Sequence, residues 1–280
     1  MAKKVRVPQY MKTPLNNRML NYSSYVFSGF ERIAVYLVAF ILGGLTGLVF
    51  YGGLFRIEEV NTAATNISDA VFFCVMGLIS ARFLIPMYRA SSLEKRSRKL
   101  KLQFRDMLES LASSFSAGSN VLGAFSASLT DLKVQYEPND FIVREMQQII
   151  DGADQGIGID VMLRDFARRS NDDDVLSFAD VFEMCYRKGG NMQTIIISTH
   201  SVIGEKIAVL LEIQTKLTSN KMQHNVMSIM PIAIVMLLKA TNPSFAENLA
   251  SPLGIVINTV AIVIFLAAYR YGRKIVNIKI

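Results

Sequence analysis

The sequence predicts an all-α integral membrane protein: four transmembrane helices and one cytoplasmic bundle of about six helices with internally duplicated hairpins. Three observations predict it. Uncharged apolar runs are long enough to cross a bilayer, and between the second and third of them apolar residues recur every three to four positions. Two stretches 71 positions apart also share one break, Gly118-Ser119-Asn120 in the first and Gly189-Gly190-Asn191 in the second.

The spans come first. With 51% hydrophobic residues and a mean hydropathy of +0.31, the 280-residue chain is apolar for a soluble protein. Ile33–Phe55 runs 23 residues without a charge, enough for about 30 Å of hydrocarbon at about 1.5 Å per residue. Its 32-residue lead is long for a signal peptide, so it reads as a retained anchor. Ala70–Met87 is interrupted by Arg82 alone, near one end, where a long side chain can snorkel. Val226–Ala240 is short, carries Pro231, and has Lys239 near its outer end; Leu253–Tyr269 is the fourth run.

Charge sets the expected orientation. The net charge of +7 is not spread evenly: residues 88–224 hold 17 Lys and Arg against 18 Asp and Glu. The excess flanks the apolar runs, with six basic residues in 1–32, seven in Arg89–Arg105, and Arg270, Arg273, Lys274 and Lys279 at the end. The connections 56–69 and 241–252 are net acidic. The positive-inside rule then puts both termini and residues 88–224 in the cytoplasm, a membrane pattern rather than a nucleic-acid surface. The expected segments are a basic cytoplasmic stretch 1–32, two spans in 33–87, the bundle 88–224, two spans in 225–269 and a basic tail 270–280. Gly43 and Gly47 form a G-x-x-x-G step in the first span, which is either ordinary glycine tolerance or a close helix contact.

Within the bundle, Phe104, Leu108, Leu111 and Phe115 share a helical face, as do Val175, Phe178, Phe182 and Cys185. No strict alternation marks a sheet. Between these repeats, Phe141–Ile150, a break at Gly152–Gly158, and Asp160–Arg168 with Val161, Leu163 and Phe166 inward make another helical pair. Gly118, Asn120, Gly189, Gly190 and Asn191 suit chain reversals, since Gly and to a lesser degree Asn adopt the left-handed conformation that ends a helix. Contact of these tips with a partner is a second reading. Asp172, Asp173 and Asp174 read first as a helix N-terminus with favourable dipole interactions, and second as a surface for a basic partner. From Gln193 a stripe of Ile196, Ile203, Ile207, Leu210 and Leu217 suggests one helix of about 38 residues to Met230, about 57 Å long, able to carry movement to the bilayer.

Catalytic chemistry finds no foothold. There is no G-x-x-x-x-G-K-[ST] loop, no G-x-S-x-G elbow, and the Gly152–Gly158 cluster lacks dinucleotide spacing. His200 and His224 stand 24 positions apart without an H-E-x-x-H frame. Cys74 and Cys185 have no C-x-x-C spacing and read as buried small apolar residues. No enzyme activity, metal or cofactor is expected, and the energy for any work is expected from another protein.

The order of these parts resembles a known family. Phe104–Leu129, Met146–Arg169 with its Gly156 break, and Asp174–Ile207 with Gly189-Gly190-Asn191, followed by a proline-containing span, resemble the type II secretion system F domain. With Ser251-Pro252-Leu253-Gly254 and Arg273-Lys274-Ile275-Val276-Asn277-Ile278, the chain is most similar to tight-adherence (Tad/Flp pilus) platform proteins, leaning toward the B rather than the C type. The resemblance implies a non-enzymatic inner-membrane platform that couples a hexameric cytoplasmic secretion ATPase to moving pilin subunits. It also implies pairing of the B and C paralogues, or a homo-oligomer, in a lipid bilayer and without nucleic acid. A small polytopic transporter or channel is the alternative, and the lack of carboxylates inside the spans counts against it.

Overall fold

The computed structural model describes residues 8–53 and 63–276. In order they form β1 (Tyr10–Lys12), β2 (Arg18–Leu20), α1 (Gly29–Tyr51), α2 (Ala63–Ser116), α3 (Val121–Gln135), α4 (Phe141–Asp154), α5 (Ile159–Ser170), α6 (Asp173–Lys188), α7 (Met192–Thr241), α8 (Pro243–Ala250) and α9 (Pro252–Val276). Among the described residues the structure is all-α apart from the hairpin β1–β2. It divides into two compact units, one holding the chain up to Val26 with Arg89–Leu211, the other holding Phe27–Tyr88 and the chain from Glu212.

In the first unit the expected helical faces are buried. Phe104, Leu108, Leu111 and Phe115 turn inward from α2, and Val175, Phe178 and Phe182 from α6. The two repeats meet there: the ring of Phe178 stands edge-on to Phe104 at 5.7 Å, and Phe182 edge-on to Phe125 at 5.7 Å. Burial of this kind supplies most of a bundle's cohesion, about 25 cal/mol per Å² of apolar surface removed from water.

Several expectations need correction. Val161 faces out, while Met162, Leu163 and Phe166 are buried, because the inward stripe of α5 starts at Ile159 and steps by three and four. Gly152 is not part of the break: it lies inside α4, where a Cβ would come within 2.7 Å of Met162 Cγ, so it sets the approach of α5. The reversal itself turns on Gly156, whose φ is +81°. Cys185 is half-buried and Cys74 exposed, so neither is a core residue. Cys74 lies on the outward side of an apolar helix, where hydrocarbon rather than protein would meet it.

The N-terminal stretch, expected as a basic flank, folds. Tyr10 pairs with Leu20 and Lys12 with Arg18 across a turn at Pro14-Leu15-Asn16-Asn17. Asn16 carries a φ of +60°, a conformation Asn tolerates better than most residues. This hairpin belongs to the first unit.

In the second unit, α1 and α2 pack through small residues. Gly43, Gly44 and Gly47 are buried. A Cβ on Gly43 would stand 2.2 Å from Ser80 Cβ, and one on Gly47 2.9 Å from Met76 Cβ. The end of α1 is tied down by polar bonds: Lys239 Nζ donates to the carbonyls of Val49 (3.0 Å) and Gly52 (2.9 Å), and Asn258 Nδ2 to that of Phe50 (2.9 Å). These meet carbonyls that the last helical turn leaves without internal partners.

The apolar helices mark a membrane-embedded protein. Among the described residues, five stretches are long and apolar enough to cross a bilayer: Gly29–Tyr51, one within Ala63–Ser116, Met192–Ile213, Met222–Thr241 and Leu253–Gly272. Four are expected from the sequence. Met192–Ile213 is the addition, and its Ile196, Ile203 and Ile207 are buried in the first unit's core. Helices also run on further than expected, α2 through Pro86 and α7 through Pro231 to Thr241. The connection 241–252 holds α8, capped by Asn242 with Pro243 at its first position.

Candidate functional site

The two reversals are built alike. Helix α2 ends at Ser116 and Gly118 takes a φ of +84°; α6 ends at Lys188 and Gly189 takes +73°. No atom lies within 4 Å of where a Cβ would sit on either glycine, so both tips are open. The asparagines do a different job from the one expected. Asn120 is extended (φ −68°, ψ 168°) and its Oδ1 accepts from Gly123 N at 2.7 Å, capping α3. Asn191 likewise accepts from Thr194 N at 3.2 Å at the start of α7. Glycine ends one helix and asparagine begins the next, which explains why the pair recurs at fixed spacing. Gly190 packs against Cys185, whose Sγ would be 3.1 Å from an added Cβ. Among the described residues, the recorded bonds of both caps stay within their own helices.

The aspartates divide among three roles. Asp172 is the N-cap of α6: its Oδ1 accepts from Asp174 N at 3.0 Å and its Oδ2 pairs with Lys101 Nζ at 3.2 Å. Asp174 pairs with Lys206 Nζ at 2.6 Å, and that bond raises the lysine's pKa. Asp173 is exposed. Two of the three carboxylates therefore fasten α6 to α2 and α7, and Asp173 is the one turned outward. Gly43 and Gly47 lie in the second unit, in the α1–α2 contact.

Duplication supplies an internal comparison. Offset by 71 residues, Val181, Met184 and Val202 of the second hairpin correspond to Ser110, Ser113 and Asp131 of the first. The second set is apolar and exposed, with Met184 at 58% and Val202 at 66%. At matched positions one hairpin presents hydroxyls and a carboxylate, the other valines and a methionine. The Lys206–Asp174 pair sets α7 antiparallel beside α6, and by helical phase Val181 and Val202 flank the outer seam between them.

Sequence reasoning missed a buried ionic cluster. Arg169, 1% exposed, donates from Nη1 and Nη2 to the two oxygens of Glu145, each at 2.6 Å, and from Nε to Asp165 at 2.7 Å. Asp165 also accepts from Arg168 at 2.9 Å. Tyr22 of the N-terminal segment donates its hydroxyl to Glu145 Oε1 at 2.9 Å. Burial alone would lower the arginine's pKa, but its bonds and charge attraction to Glu145 and Asp165 outweigh that and raise it. Burial, then the adjacent Glu145, pushes Tyr22 well above the ordinary phenol value, so it remains a donor. The signal that could have found this cluster is three titratable residues on the inward stripes of α4 and α5, positions 145, 165 and 169. Comparison with protein-family models, with curated proteins and with solved structures finds no match to this chain.

Proposed function

We propose that the chain is the inner-membrane platform of a Tad/Flp-type, type IV-like pilus or a related type II secretion machine. In this reading it couples a hexameric cytoplasmic secretion ATPase to the insertion or extraction of pilin subunits, and catalyses no reaction itself. Residues 88–224 and both termini are cytoplasmic, and four spans hold the protein in the bilayer: α1, the first part of α2, Met222–Thr241 of α7, and α9.

The observation that carries the reading is the duplicated hairpin with two open, matched elbows in a helical unit flanked in sequence by apolar helices. Such a unit has docking surfaces and helices that continue into apolar stretches, which suits transmitting force. The apolar seam of Val181, Met184 and Val202 suits the lasting contact of a paralogous platform subunit or a second copy, since stable interfaces bury apolar centres. The outward Asp173 and the elbows suit the more transient ATPase contact.

Affinity purification of the full chain from native membranes after mild crosslinking tests this. A hexameric secretion ATPase and a paralogous platform subunit are expected to co-purify, and deletion of the gene is expected to abolish filaments. Normal assembly of that complex by a chain lacking residues 100–220 would overturn the reading.

A further inference from the structure

The charges under the N-terminal hairpin are complete without it. Arg169 makes three bonds to two carboxylates, all within α4 and α5. Tyr22 adds a neutral hydroxyl to Glu145 Oε1, an oxygen that already accepts from Arg169 Nη1 at 2.6 Å. The contact of Arg169 Nη1 with the Leu20 carbonyl is long, at 3.4 Å. Breaking a buried ion pair is the usual obstacle to opening a buried polar site. Here the hairpin can leave without breaking the pairs among Arg169, Glu145 and Asp165.

What it would lose is apolar burial and a few bonds: Tyr22 is 4% exposed in the unit's core, and Leu15 and Leu20 pack against that core. Tyr22 N donates to the Arg169 carbonyl at 3.0 Å, and the Tyr22 ring stands edge-on to Phe141 at 5.3 Å and Phe166 at 6.4 Å. Arg96 donates to the Ser24 carbonyl at 3.0 Å and lies 4.8 Å over the Tyr25 ring; its side chain is half-buried, within reach of replacing water. The segment is meanwhile bonded to itself. Beyond the strand pairing, Asn21 N donates to the Gln9 carbonyl at 2.8 Å, and Asn21 Nδ2 and Ser24 Oγ both donate to that of Pro8.

We infer that residues 8–26 are a detachable strap, which lifts from the helical unit as one piece while Arg169, Glu145 and Asp165 stay paired. Its lifting uncovers an aromatic slot between Phe141 and Phe166 beside a carboxylate acceptor, a receptor for a ring that carries an O–H donor, filled in the closed state by Tyr22. The device depends on the first unit alone and stands apart from the pilus reading.

Hydrogen–deuterium exchange on the full-length chain in a nanodisc tests it. The amides of Thr13, Asn21 and Tyr22 are expected to exchange at one shared rate, at least ten-fold faster than those of residues 145–150 and 162–167. Once lifted, the lone two-stranded piece is marginal in water, so its internal amides, Thr13 and Asn21, open in step with Tyr22, whose amide bonds the helical unit. Tyr22→Phe is expected to speed the strap about five-fold, the worth of one hydrogen bond, and to leave α4 and α5 unchanged. Strap amides as protected as those helices would overturn the inference, as would graded rates that report fraying, or a Tyr22→Phe effect shared by α4 and α5. If the variant does not fold, the wild-type rates alone decide.

Discussion

A guanidinium held almost wholly out of water between two carboxylates makes the outcome of substitution depend on what is left behind. Arg169→Met would strand Glu145, whose other recorded partner is the neutral Tyr22 hydroxyl, and should cost about 3–5 kcal/mol. Glu145→Leu should cost less, because Arg169 keeps Asp165. The double substitution should recover more than half the loss of Arg169→Met, since apolar groups of similar volume replace a buried pair at little cost. Thermal unfolding of the detergent-solubilised chain gives the three values; simple additivity would show that the pair is not coupled. Asp165 and Arg169 stand at i,i+4 on the inward stripe of α5, a signal in the sequence, but their tie to Glu145 and Tyr22 was not legible there. Glu145 and Arg169 are 24 positions apart and Tyr22 is 123 from Glu145, so no local spacing joins them. The elbows were legible because their bonds reach only three residues, within the range over which sequence pattern carries information.

At the level of elements, periodicity located the buried faces of α2 and α6 because core packing imposes it over several turns. It failed where another constraint ruled. Gly152 looks like a break in sequence, yet it is the point at which Met162 needs room, and a helix admits glycine at a modest cost. The β1–β2 hairpin has strands of three residues each, too short for alternation to show. The G-x-x-x-G step left two readings open, and here the α1–α2 geometry gives a definite expectation. An added side chain at Gly43 meets Ser80 Cβ and the Met76 carbonyl at distances no real contact tolerates, and the backbone cannot yield as a flexible side chain could. Gly43→Ile should push α1 from α2 and destabilise the second unit by about 1–3 kcal/mol, or more. Leu45→Ile, at a half-exposed position of the same helix, is the control and should change little. Disulfide trapping between cysteines placed on α1 and α2 reads the separation directly: Gly43→Ile should abolish the crosslink, and the control should keep it.

For the molecule as a whole the open question is how its apolar length is divided between bilayer and protein core. Among the described residues five stretches qualify on length and composition, and one of them, Met192–Ile213, differs from the others in what it buries. Ile196, Ile203 and Ile207 each expose 5% or less, packed in the same cluster as Phe104 and Phe182. Its inward stripe fills the first unit's core, and its outer side carries Ser198, Ser201, Glu205 and Lys206, which hydrocarbon would penalise, beside exposed Ile197, Val202 and Val209. The proposed reading has four spans, and the count has a consequence for the side on which α8 emerges. With four, α8 and the elbow at Ser119 lie on opposite faces of the membrane; with five, the extra crossing brings them to the same face. In a background of Cys74→Ser and Cys185→Ser, single replacements Ser119→Cys and Ser244→Cys give the two reporters, Ser244 being exposed near the start of α8. A membrane-impermeant maleimide added to intact cells should label Ser244→Cys strongly and Ser119→Cys only after the membrane is opened. The proposed orientation, with the positive flanks and the elbow on the cytoplasmic side, sets the sign of that result. Protection of both positions in intact cells would instead require Met192–Ile213 to leave the helical core for lipid, carrying Lys206 away from Asp174 as it went.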